Sequence, residues 1–243
     1  MLEQCLVVLG YTSIAVACFA VSGVLALFFP PRRLIQCYLQ HFAAGVVFAA
    51  VAVEVLPEVL HRKAPLAAAV GFTAGVALML AVRAISQKIE GRKEEGRQGG
   101  TWSMVAVIGI DVLIDGILLG AAFAAGETMG GLLVLALSAE FLSLGPAASS
   151  QLTGNRISRR NAIAITIGIA ALMWLGGFTG VLVLANASGT IIEAVLAFGS
   201  AAFLYLVTEE LLVEAHETTD TLFATTLFFV GFLLVLMIGM LVH

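Results

Sequence analysis

The chain has 243 residues, 60% of them hydrophobic and only 12% charged, with a formal net charge of −4 and a mean hydropathy of +1.06. Water-soluble domains are roughly half apolar and about a quarter charged, so a soluble globular fold of this length is excluded. The reading is an all-α integral membrane protein, a single transmembrane unit over 1–243 with almost no extramembrane domain.

A helix needs about 20 apolar residues to cross a ~30 Å hydrocarbon core. Eight runs meet that length, near 4–29, 36–60, 64–86, 102–126, 130–152, 161–185, 189–213 and 221–242. The first lacks a basic n-region, and the apolar run continues past the "AVAC" ending at Cys18, so neither cleavage nor lipidation is expected. Cys5, Cys18 and Cys37 have no CxxC spacing, which points to neither a disulfide framework nor a thiolate metal site. Pro30 and Pro31 part spans one and two. Span three ends in "QKIEGRKEEGRQGG", residues 87–100, read as a mobile cytoplasmic loop.

Orientation follows from the basic residues. Arg32, Arg33, Lys88, Arg92, Lys93, Arg97, Arg156, Arg159 and Arg160 fall in loops one, three and five, with Arg83 at the adjoining end of span three. Only Arg62 and Lys63 lie on the opposite side. The positive-inside rule puts those loops in the cytoplasm and both termini outside, in a multi-pass protein of the cell membrane.

Span four carries Asp111 and Asp115 near its middle, at i and i+4, which places both on one face with Cβ atoms ~6 Å apart. Glu140 lies near the middle of span five, and Ser143 follows one turn later on the same face. A charge at that depth costs ~2.5–3.5 kcal/mol on insertion scales. Every Lys and Arg is near a loop, so no basic side chain shares the depth of these acids. Either protons or a bound cation must neutralise them. Pro146, after Gly145, is expected to bend span five and free a carbonyl as a further oxygen ligand.

Spans two and seven resemble each other. Laid from Phe42 and Phe198, "FAAGVVFAAVAVEVLPEVLH" and "FGSAAFLYLVTEELLVEAH" set Glu54 on Glu210 and Glu58 on Glu214. The two spans run in opposite directions, as paired elements do in inverted-repeat transporters. Glu54 and Glu58 are candidates for an outer cation mouth, and Glu209, Glu210, Glu214 and His216 for an inner one. His41 and His61 are expected to be solvated helix ends.

These features together resemble the ZIP (Zrt/Irt-like) family of divalent-metal transporters. "FAAGVVFAAVAVEVLPE" is similar to the family's second span and "FLYLVTEELLVEAHE" to its seventh. "DVLIDG" stands where the family has a His-Asn-x-x-acid-Gly motif. The resemblance implies eight helices in a three-plus-two-plus-three arrangement. Spans 1–3 and 6–8 would form an inverted repeat around the metal-holding spans 4–5. It also implies that Asp111 takes the place of the metal-binding His, that Asp115 keeps the acid, and that Val112 replaces the Asn. Aligned on Phe141, Ala139 stands at the first ligand position of span five, Glu140 at the second and Ser143 at the third. A bridging Glu expected in span six is missing around Met173 and Trp174. With every central imidazole gone, the family's two-metal centre is not carried over.

Carboxylate, hydroxyl and carbonyl oxygens suit harder cations than imidazole does, although Zn²⁺ also accepts them. The expected cargo is a divalent metal ion, with Zn²⁺, Mn²⁺, Fe²⁺, Co²⁺ and Cd²⁺ all left open. The expected partners are the lipid bilayer and that cation, with a homodimer allowed and no nucleic acid. No Walker-type loop occurs, which leaves a transporter without its own energy source rather than an enzyme. Two rivals stay open. One is a ZIP-like protein that carries protons or another solute, or no longer transports. The other, weaker, is an intramembrane hydrolase using two aspartates.

Overall fold

Proline and glycine punctuate a chain that is otherwise helical almost throughout. The computed structural model describes residues 2–94, 100–154, 157–184, 187–216 and 221–242, and no strand forms among them. The elements are α1 (Leu2–Phe28), α2 (Arg33–Ala50), a π segment π1 (Val51–Val55), α3 (Leu56–Arg62), α4 (Pro65–Glu94), α5 (Gly100–Ala125) and α6 (Glu127–Gly154). After them come α7 (Arg159–Leu184), α8 (Gly189–Tyr205), a second π segment π2 (Leu206–Leu211), α9 (Leu212–His216) and α10 (Leu222–Val242). Since α2–π1–α3 and α8–π2–α9 are each continuous, eight helical stretches among the described residues are long and apolar enough to cross a membrane. That is the make-up of a multi-pass membrane protein.

The charged stretch read as a loop from residue 87 differs. Helix α4 runs on to Glu94 and α5 begins at Gly100. The Gln, Lys, Glu and Arg residues concerned are good helix formers that need no tertiary burial to extend an existing helix. The expected mobility of 87–100 falls in part on residues 95–99, which lie outside those described.

Helix α6 is the most enclosed, with 72% of its membrane-length stretch buried, and α4 and α10 the least, at 17% each. Apolar burial cannot drive helices together in lipid, so close backbone approach through small residues has to do so. Helices α5 and α7 meet through Gly116 and Gly120 against Gly176 and Gly180. A Cβ on Gly116 would sit 2.6 Å from the Met173 carbonyl oxygen. Gly45 of α2 backs onto the Phe228 carbonyl of α10, Gly71 of α4 onto that of Ala194 in α8, and Gly145 of α6 onto that of Phe19 in α1. The closest partnerships are thus α1 with α6, α5 with α7, α2 with α10 and α4 with α8.

The turn between α3 and α4 shows how the fold accommodates a buried acid. Lys63 takes a left-handed conformation (φ 56°), so the Ala64 N–H points back into the bundle. It donates to both oxygens of Glu193, at 2.9 and 3.1 Å, and Glu193 is buried.

Candidate cation site

Asp111 and Asp115 project from one face of α5 toward Glu140 on α6. One oxygen from each carboxylate lies within 4.8 Å of the others. Asp115 is 4% exposed and Glu140 1%, while Asp111 is half-buried. Asp115 Oδ2 and both oxygens of Glu140 have no hydrogen-bond partner. Glu193 has the Ala64 N–H; these three oxygens have nothing comparable. Buried, unpaired anions cost several kcal/mol each, so protons or a cation must compensate them. Three converging oxygens are what a divalent ion takes, with remaining positions left for water. The trio could therefore hold a metal ion.

Other oxygens expected at the centre divide. Ser143 is buried one turn beyond Glu140. Ser138, by contrast, donates to the Val134 carbonyl of its own helix, at 2.7 Å. Pro146 lies inside α6, which continues unbroken through it. The nearby Phe141 carbonyl is occupied by the Ser22 hydroxyl of α1, at 3.1 Å. In span six, buried Met173 presents its backbone to Gly116.

The acids of π2 face different ways. Glu210 is near enough to Asp111 and Glu214 for their charges to act on it. Its neighbour Glu209 turns outward and pairs with Arg83 of α4, Nη1 to Oε2 at 2.5 Å. Glu214 accepts from Gln40 Nε2 at 2.5 Å and lines a polar cavity of about 420 Å³ with Arg33, Gln36, Ser150 and Gln151. His216 is exposed, its Nδ1 2.5 Å from the Leu212 carbonyl. Its ring centroid lies 5.3 Å from that of His41.

His41 corrects the sequence reading, which had it as a solvated end. It is 2% exposed, because α9 packs across the start of α2 and the Cys37 thiol donates to the Ala215 carbonyl at 3.3 Å. The signal was present: Cys37, His41 and Gly45 recur every fourth residue, and Gly45 marks the packed face.

At the opposite end, Glu54, Pro57, Glu58, His61, Gly126 and Thr128 line a second cavity, of about 410 Å³. Glu58 is paired there with Arg62, at 2.7 Å. Buried Val55, Leu118, Leu133 and Phe203 form an apolar layer. They line one small apolar pocket, and Leu118 and Leu133 fall along α5 and α6 between the trio and the residues of the second cavity.

No protein-family model and no curated protein matches this chain.

Proposed function

We propose that this protein moves a divalent metal cation across a membrane through Asp111, Asp115 and Glu140, as a transporter of the ZIP kind. The observation that carries the reading is the set of buried carboxylate oxygens without hydrogen-bond partners. A charge that no donor or base neutralises is the signature of a site for a mobile cation. The donors are all oxygen, which favours a harder selectivity than an imidazole site would have. Ser143, buried one turn beyond Glu140, is the further ligand this reading adds.

The path runs from the trio to Glu210 and Glu214 and into the polar cavity at the Arg33 end, which the basic loops place in the cytoplasm. Glu54 and Glu58 form the outer mouth, closed from the site by the Val55, Leu118, Leu133 and Phe203 layer. His216 stands at the cytoplasmic exit beside His41. Glu209, paired with Arg83, is not on the path.

The three-plus-two-plus-three arrangement with an inverted repeat belongs to the same proposal. Two observations support it. The π segments interrupt spans two and seven at matched places, with Glu54 in one and Glu210 in the other. The partnerships also exchange in pairs: α2 with α10 answers α8 with α4, and α1 with α6 answers α7 with α5.

The test is uptake of Mn²⁺ and Zn²⁺ into liposomes holding the purified protein. Uptake lost in Asp115→Ala and Glu140→Ala supports the proposal. Proton flux without metal flux would move the assignment to the proton-carrying rival.

A further inference from the structure

Segment π2 has an unusual hydrogen-bond pattern and an unusual neighbour. The Leu212 N–H reaches back five residues to the Val207 carbonyl, and the Thr208 hydroxyl donates to the Leu204 carbonyl at 2.8 Å. A π turn is rare and often marks a functional site, so what touches it from outside matters. Helix α2 packs along π2, and the Arg83 side chain reaches it from α4. The Arg83 guanidinium donates to Glu209 within π2 and lies beside the hydroxyl of Tyr205, the last residue of α8 before π2. Arg83 therefore meets the segment from outside, at the residue that precedes it and at its fourth residue.

Neighbouring helix positions point to different faces. Glu209, tied to α4, is exposed, whereas Glu210 beside it is half-buried and close enough to Asp111 for the two charges to interact. We propose that Arg83 is a positioning residue: by gripping Tyr205 and Glu209 it keeps π2 wound and Glu210 aimed at the carboxylate cluster. Its functional consequence rests on the transport reading above; its structural part does not. Both partners are more than two-fifths exposed, Arg83 at 45% and Glu209 at 42%. Such a pair adds little to global stability. Its effect is on aim, much as outer-shell partners orient metal ligands.

The experiment uses the purified full chain with Arg83→Gln, Glu209→Gln and the exchange Arg83→Glu with Glu209→Arg. Two readouts are taken: amide hydrogen exchange across 205–212, and Mn²⁺ binding and uptake. Either single change should speed exchange in that segment while leaving the melting temperature unaltered. Uptake turnover should fall roughly 10–100-fold, with Mn²⁺ affinity at the trio retained. The exchanged pair should restore protection and turnover in part, since it re-forms the ion pair but not the contact with Tyr205. Wild-type protection in both single variants, or no recovery in the exchanged pair, overturns the clamp. Wild-type protein that neither binds nor moves Mn²⁺ overturns the transport reading instead, and the exchange data still decide whether Arg83 holds π2.

Discussion

Asp115 of α5 and Glu140 of α6 bring carboxylate oxygens within 4.8 Å of each other, yet Asp115 Oδ2 and both Glu140 oxygens lack any hydrogen-bond partner. The protein holds two acids together and leaves three of their four oxygens without a partner. A cation between them would turn mutual repulsion into shared coordination. Replacing Asp111, Asp115 or Glu140 singly by Ala should abolish tight cation binding, whereas Val112→Ala should preserve it. Titration calorimetry with Mn²⁺ reads the result, and three acid variants with wild-type isotherms would refute a common site.

Cation and proton compete for the same oxygens, since a metal-bound carboxylate must be deprotonated. Lowering the pH fills the carboxylates with protons, so Mn²⁺ affinity should fall as pH falls and recover as it rises. Binding in weak buffer should release protons. Affinity independent of pH, with no proton release, would mean that these carboxylates are not the ligands.

Selectivity follows from donor type. An all-oxygen centre narrows the usual advantage of Zn²⁺ over Mn²⁺. Introducing Asp111→His with Ala139→His should shift competition toward Zn²⁺. If wild type already prefers Zn²⁺ strongly and the added imidazoles leave the ratio unchanged, the site lies elsewhere.

Gly116 sits beside Asp115 and against α7, where a Cβ would lie 2.6 Å from the Met173 carbonyl oxygen. Gly116→Val should cost ~1–3 kcal/mol by forcing the helices apart, and should weaken cation binding by displacing Asp115. Gly131 of α6 is the control. A Cβ there meets nothing within 4 Å, so Gly131→Ala should be tolerated and gain up to about 1 kcal/mol from helix propensity. Thermal melts in detergent compare the two; equal stability would contradict the close α5–α7 approach.

The basic residues predict that the end of span three near Ser86 faces the cytoplasm. Ser86→Cys, in a background with Cys5, Cys18 and Cys37 replaced, should be blocked in intact cells only by a membrane-permeant thiol reagent. Labelling by an impermeant reagent would invert the orientation.

Hydropathy and helical spacing are local quantities, and what depends on them was legible. The eight apolar runs, the shared face of Asp111 and Asp115, and the depth of Glu140 all follow from counting along the chain. The direction of individual side chains did not follow. Glu209 and Glu210 are the same residue type side by side, yet one is claimed by Arg83, 126 residues away, and the other turns toward Asp111. Pro57, which lacks an N–H, stands just after π1, but no proline or glycine lies in or beside π2 to announce it. The burial of His41 likewise depends on α9 arriving from the far end of the chain. Sequence alone supplied the eight membrane-length runs and put Asp111, Asp115 and Glu140 at mid-span, but it passed over Glu193, which is as deeply buried as Glu140. Only the packing of distant helices decided which buried acids are paired and which keep oxygens without a partner, since partners for a buried charge come from other elements.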